Sequence, residues 1–294
     1  MARYTRLMRP SSIAPGFPRR YASRRRPLAA CALSLGLLTS CATTPPGSRP
    51  PETASRTSGA AYDHGGLVRG PLAGRQIALL FTGGSYGEST GPILDTLHER
   101  GIPAAFFLTG EYLADPAHRP LVRRMLAEGH YVGPHSHAHL LYCSWERRSE
   151  TLVSREEFHR DLERNIADIR ARGGLPTGQP VVLVPPYEWY NEDQVRWARE
   201  MGVAVVNFTP GSGSNRDYVP ESDARFIPST RLREDILDCE RRDPHGLSGF
   251  LLLMHLGSQR QDKMHTQLGE LLDELSRRGY SFVRVDAWLA AQAE

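Results

Sequence analysis

Three histidines stand within five residues in Gly133-Pro134-His135-Ser136-His137-Ala138-His139, directly after the short apolar run at 131–132. Neutral imidazoles are good ligands for a divalent metal, zinc above all. If the loop winds as one helical turn, His135 and His139 point the same way and His137 is left aside. Spacing alone also allows a cluster of solvated loop histidines. A fourth histidine, His255, ends the apolar run at 250–254. For a lone histidine in such a place, a satisfied core residue is the commoner outcome. Pro185-Pro186-Tyr187-Glu188-Trp189-Tyr190 follows a third apolar run and sets three rings beside one carboxylate. Flat rings such as Tyr187, Trp189 and Tyr190, with Trp145 upstream, suit the faces of sugars, although each ring alone is more often core. Glu188 and Glu88 are candidate proton acceptors, and Asp217 is a weaker one, better suited to orienting His255. For any single carboxylate the ordinary expectation is the surface.

All these residues lie just past runs that read as strands. Residues 77–81, 104–108, 181–184, 203–208 and 250–254 are continuous apolar runs of strand length, as parallel strands buried on both faces would be. Between them lie helical stripes: Ile93, Leu94 and Leu97; Phe158, Leu162, Ile166 and Ile169; Leu268, Leu271, Leu272 and Leu275. Ser154-x-x-Glu157 is a capping box opening the second of these. Alternation of buried strands and amphipathic helices argues an α/β fold, open or barrel, whose sites sit at strand C-terminal ends. The stripes are core and carry no functional role.

The first strand runs into a glycine-rich turn, Leu79-Leu80-Phe81-Thr82-Gly83-Gly84-Ser85-Tyr86-Gly87. It has neither a following Gly-Lys-Ser/Thr nor a G-x-G-x-x-G spacing, so it is not a phosphate cradle.

In order and spacing, the segments from about Gln76 to Trp288 resemble the NodB-homology polysaccharide deacetylases, carbohydrate esterase family four. The H-[ST]-x-x-H motif of that family matches His135, Ser136 and His139. Its R-P-P-[YF] motif matches Pro185, Pro186 and Tyr187, its last motif matches the strand ending in His255, and residues 100–110 follow its second strand. The resemblance implies an irregular (β/α) barrel and a divalent metal, often zinc, held by His135 and His139. It implies removal of acetyl groups from N-acetylglucosamine polymers, peptidoglycan or acetylated xylan. Tyr187 then lends a backbone amide to the oxyanion and His255 protonates the leaving group. Two places depart from the pattern. The family's T-F-D-D-G is here Leu80-Phe81-Thr82-Gly83-Gly84, with Thr82 for the base and Gly83 for the third ligand. The arginine that pairs with that base is Val184. Such an arginine, buried without its partner, would cost roughly 3–5 kcal/mol, so joint loss of both halves avoids the penalty.

The first forty residues contain eight arginines and no acid, followed by an apolar stretch too short to span a bilayer. Residues 1–40 are expected to be a signal peptide, and Leu38-Thr39-Ser40-Cys41 resembles a lipobox with Cys41 acylated. A generic cleaved signal without lipid is the simpler alternative. The protein is thus expected to be exported, as a periplasmic or outer-membrane-anchored lipoprotein whose lipid meets the membrane. Residues 41–70, rich in Pro, Ser, Thr and Gly, read as a tether, and 71–294 as the catalytic-type domain. Without the leader, 28 basic residues face 33 acidic ones, a net charge of minus five, which leaves no nucleic-acid footprint. Cys143 and Cys239 remain, either paired or as buried thiols.

Three functions are compatible with these residues. The first is a metal-dependent deacetylase of an envelope or environmental glycan, with Glu88 or Glu188 in place of the lost base. The second is a glycan-binding lipoprotein without turnover. The third, a glycoside hydrolase using Glu88 and Glu188 as a carboxylate pair, depends on their separation.

Overall fold

The computed structural model describes residues 59–291; the signal segment, Cys41 and the tether as far as residue 58 lie outside the described residues. Its framework is a run of short parallel strands. Strand β3 (Gln76–Gly83) is central, flanked by β4 (Ala105–Leu108) and β8 (Phe250–His255). Beyond β4 lies β5 (Tyr131–Pro134), and β9 (Ser281–Val283) pairs with the first residues of β3. The β3 residues from Ile77 to Phe81 and all of β4 are wholly buried, because helices cover one face of the sheet and the barrel interior the other.

Two further parallel strands, β6 (Val181–Leu183) and β7 (Val203–Val205), form a separate pair. They join the main sheet through β2 (Gly66–Arg69): Leu67 bridges Val206, and the Thr209 N–H donates to Leu251 O. The remaining gap, between β5 and β6, is spanned by a side chain. The Tyr131 hydroxyl accepts from Val182 N (2.8 Å) and donates to Pro180 O (3.2 Å). The result is an irregular (β/α) barrel, in agreement with the sequence reading.

One boundary needs correction. The expected tether, 41–70, runs too far: β1 (Ala61–Asp63) and β2 form a hairpin, and Leu67 is 1% exposed in the core. The physical reason is that Leu67 and Val68 close the barrel wall, so the folded unit starts before the first long apolar strand.

Among the described residues, eight α-helices connect the strands. Helix α1 (Thr90–Arg100) buries Ile93, Leu94 and Leu97 and stops at Gly101 in the left-handed region. The short α2 (Gly110–Ala114) and α3 (Arg119–Ala127) lead to β5. Helix α4 (Arg155–Arg170) starts with the Ser154/Glu157 capping box and buries the Phe158–Leu162–Ile166–Ile169 stripe. Helices α5 (Glu192–Glu200), α6 (Ser229–Arg242), α7 (His265–Arg277) and α8 (Val285–Ala290) complete the wall. Cys143 and Cys239 are both buried and unpaired. No helix among the described residues is long and apolar enough to cross a membrane.

Candidate active site

The C-terminal ends of β3, β5, β6 and β8 face one cleft. The histidine loop after β5 is shaped by α4 rather than by a helical turn of its own. The Asp161 carboxylate accepts from Ser136 Oγ (2.6 Å) and from the N–H groups of His137 and Ala138 (2.9 and 2.8 Å). Ser136 and His139 consequently sit at φ 68° and 52°, a left-handed geometry that non-glycine residues hold only when neighbours fix it. His135 and His139 come together with ring centroids 5.1 Å apart. His137 is turned away, 3.2 Å from Asp168, with its ring against Gly110.

His135 is held from two sides. Its backbone N–H donates to Asn165 Oδ1 (3.0 Å), and its Nδ1–H donates to Val184 O (2.7 Å), leaving Nε2 toward the cleft. Burial, with the neighbouring charges of His139 and His255, holds His135 well below the usual histidine range. His139 falls for the same reasons to about 4. Both rings are therefore neutral at physiological pH.

The β6 strand ends at once because Pro185 and Pro186 offer no N–H to continue it. The chain then turns tightly, with Tyr187 at φ 58° and Glu188 at φ 52°. Two consecutive non-glycine residues in this region store about 1–3 kcal/mol each. The turn is pinned by Asn207 Nδ2 on Glu188 O (2.8 Å) and by Trp189 Nε1 on Ser144 O (3.1 Å). This conformation drives the Glu188 side chain inward, where it is 8% exposed, and leaves Tyr187 40% exposed at the mouth. Burial, with Asp217 adding and His255 opposing, pushes the Glu188 carboxyl up to about 7.

His255 faces that carboxyl. Asp217 grips it twice, accepting from the ring Nδ1 (2.7 Å) and from the backbone N–H (2.9 Å). Burial works against a charged ring here, but the carboxylates of Asp217 and Glu188 outweigh it and hold His255 above the ordinary histidine value. The Tyr218 ring covers its flank at 4.9 Å. Asp217, 5% exposed, is an orienting group placed by the loop after β7. Arg260, fully buried and stacked 4.5 Å from Phe226, ties that loop down through Ile227 O and Val219 O.

The aromatic residues divide. Tyr187 leans over His139 at 4.3 Å, Trp145 meets Tyr187 edge-on at 5.7 Å, and Trp145 stacks on Trp189 at 5.6 Å. Arg148 backs this wall, 4.4 Å from the Trp189 ring. Tyr190 does not belong to it, contrary to the sequence expectation. Its ring is wholly buried and its hydroxyl donates to Asp63 O (3.0 Å), so it anchors the β1–β2 hairpin. Side chains alternate along this extended segment, and Tyr190 falls on the inward side.

Glu88 is not brought to the histidines. Its carboxylate bonds the Lys263 ammonium and accepts from Ser258 N (2.9 Å). Burial, the largest single influence, raises its pKa, but the bonds from Lys263 and Ser258 together outweigh it and lower it. A carboxylate so committed is a poor base, which argues against a glycoside hydrolase using Glu88 as one of its carboxylate pair.

The donor set does not fit a three-ligand metal centre. Two imidazoles converge, Gly83 has no side chain, and no group of three His, Cys, Asp or Glu among the described residues is disposed to hold an ion. Sequence reasoning missed Asp161, Asn165, Asn207 and Tyr218. Only an ordering of loop against helix exposes them, and no local motif marks them.

The comparisons agree with this architecture. The family model described as polysaccharide deacetylase matches residues 69–206. A peptidoglycan-N-acetylglucosamine deacetylase of Bacillus cereus is 23% identical over 227 residues, covering 76% of this chain and 72% of that protein. The chain spans about two fifths of the length of some other curated relatives, among them a peptidoglycan-N-acetylglucosamine deacetylase of Listeria monocytogenes that is 28% identical over 214 residues. A solved peptidoglycan N-acetylglucosamine deacetylase, in complex with an N-oxidanyl-benzamide, superposes with a TM-score of 0.60 at 21% identity, covering 75% of this chain and 91% of that one. A pseudoenzyme of carbohydrate esterase family four from Bacillus anthracis superposes with a TM-score of 0.57 at 19% identity, covering 78% of this chain and 70% of that one. With the strand order, the paired histidines and the proline turn in place, the chain is similar over residues 69–206 to the NodB-homology polysaccharide deacetylases.

Proposed function

We propose that the chain hydrolyses acetyl groups on a cell-envelope or environmental glycan, with Glu188 as proton acceptor and His255 as proton donor. The observation that carries this reading is Glu188 itself: a buried carboxyl raised to about 7, beside a histidine that Asp217 holds above its ordinary value. A carboxyl raised to about 7 beside a histidine raised above its ordinary value supplies a proton acceptor and a proton donor for acid–base chemistry near neutral pH.

The step balances as follows. The Glu188 carboxylate takes a proton from water, and the water oxygen bonds to the acetyl carbonyl carbon. The oxyanion receives the Tyr187 backbone N–H, a group with no carbonyl partner among the described residues. His255 then gives its Nε2 proton to the sugar nitrogen or oxygen as its bond to the acetyl carbon breaks. Acetate and the free sugar amine or hydroxyl leave, with the Glu188 proton returned to His255 through solvent. Oriented donors of this kind are worth roughly 10²–10³ in rate. Tyr187, Trp189 and Trp145 form the wall on which a sugar ring would lie. An acylated Cys41 and the following tether would present the domain to its glycan from a membrane in the cell envelope.

The test is acetate release by the full chain from chitooligosaccharides, peptidoglycan fragments and acetylated xylan. Release that falls by about 10²–10⁴ in Glu188→Gln supports the reading. The xylan ester is expected to react fastest, since an ester carbonyl is more electrophilic than an amide carbonyl, into which the nitrogen lone pair is delocalised. No release from any of the three, with binding retained, supports the second reading, a glycan-binding protein. The observations favouring that alternative are Thr82 and Gly83 in the first strand and a neighbour described as a pseudoenzyme.

A further inference from the structure

We infer that this chain holds no structural counterpart of its family's metal centre, because the place of the third ligand is closed by packing as well as emptied of its carboxylate. Gly83 ends β3 between β4 and β8. A Cβ built on it would stand 2.9 Å from Leu256 Cδ1, 2.9 Å from Tyr112 Cδ2 and 3.1 Å from Leu108 Cδ2. Real Cβ atoms do not approach carbon so closely, so any side chain at position 83 must displace a neighbour.

The leucine contacts are side-chain ends, but the Tyr112 ring is not free to move. Leu256, Tyr112 and Leu108 are each wholly buried. Tyr112 is fixed at both ends, its hydroxyl 2.9 Å from Thr90 Oγ1 and its ring stacked at 4.0 Å on His118. Leu256 is bonded through its own N–H to Thr82 O (2.9 Å), which fixes its Cα relative to β3. Cores of this density transmit an added group as strain rather than absorbing it.

No other donor has come in to compensate. Thr82 beside it carries a neutral hydroxyl, and Val184 across the cleft is apolar and wholly buried. Glu188 acts electrostatically on His255 and Asp217, not on His135 or His139. One feature favours a metal: the His135 Nδ1–H on a carbonyl leaves Nε2 unprotonated, as in many metal sites. Two imidazoles alone, one of them roofed by Tyr187 at 4.3 Å, complete at most half a tetrahedral shell. The pair instead serves as neutral packed rings lining the floor of the cleft. This inference stands apart from the proposed reaction, since it concerns the protein without substrate.

It is tested on the full chain by equilibrating it with zinc, dialysing, and measuring bound zinc by mass spectrometry. The wild type is expected to keep well under one equivalent and His135→Ala no less than the wild type. Gly83→Asp is expected to gain no zinc and to melt roughly 2–10 °C lower through overpacking. One equivalent of zinc kept by the wild type and lost in His135→Ala overturns the inference. So does a Gly83→Asp variant that gains zinc at an unchanged melting temperature.

Discussion

Replacing Glu188 by glutamine should stabilise the protein at alkaline pH while removing its chemistry. The folded-state carboxyl titrates at about 7, against 4.5 for an ordinary glutamate, and it is 8% exposed. Below the ordinary value both folded and unfolded chains carry the proton, and the group costs nothing. Between 4.5 and about 7 the folded state binds more protons than the unfolded one, so stability falls as pH rises. Above about 7 the penalty is complete. At about 1.4 kcal/mol per pH unit, the interval amounts to about 3 kcal/mol.

Glutamine keeps the shape and has no charge to desolvate. The bond that pins the turn, from Asn207 to the Glu188 carbonyl, involves only the backbone of residue 188 and survives the change. Urea unfolding of the wild type and Glu188→Gln should therefore coincide near pH 4 and diverge by about 3 kcal/mol near pH 8. In melting temperature that is a gain of roughly 6–12 °C for a domain of this size. Equal or lower stability of the variant at pH 8 would refute the claim that this carboxyl is held in an unfavourable site. It would also remove the argument that Glu188 is poised for proton transfer, since the same burial supplies both effects.

Three further outcomes follow from neighbouring groups. The pH–rate profile for acetate release should be bell-shaped: activity rises as Glu188 loses its proton through about 7 and falls as His255 loses its own above the ordinary histidine value. In Asp217→Asn the alkaline limb should move to lower pH, because the carboxylate that keeps the ring charged is gone; an unmoved limb would dissociate His255 from it. Thr82→Val should raise stability by about 1 kcal/mol, read by denaturant midpoint, because the Thr82 hydroxyl is buried without a hydrogen-bond partner. A loss of stability would mean that the hydroxyl is satisfied.

Much of the barrel was legible because its strands are buried on both faces, so runs such as Leu79-Leu80-Phe81 admit few other readings. The helices were legible through stripes and a capping box whose chemistry is local. The site was legible only as far as position along strands carries information: His135, His139, Glu188 and His255 all follow strand ends. Conformation and burial beyond that were not. Tyr187 and Glu188 adopt left-handed φ without a glycine to announce it, and Tyr190 turns inward although it shares a segment with two rings at the cleft. The β1–β2 hairpin escaped notice because strands of three and four residues beside glycines look like tether until a long-range partner, Val206, is known.

The three departures from the family pattern make physical sense as one change. An aspartate at position 82 without its arginine would be a buried, unpaired charge, and the arginine without the aspartate likewise; either costs several kcal/mol. Thr82 and Val184 remove both. Once the charged pair is gone, a lone carboxylate at Gly83 would face only neutral rings, so its loss lets Leu256 and Tyr112 close over the strand end. The ionisable groups that remain, Glu188, His255 and Asp217, then form a centre displaced toward the β7 and β8 ends of the cleft. That centre keeps a raised carboxyl at an energetic cost which a purely structural relic would gain by shedding, through a change as small as Glu188→Gln. A buried carboxyl held at that cost beside His255 and Asp217 is the physical argument on which the proposed turnover rests.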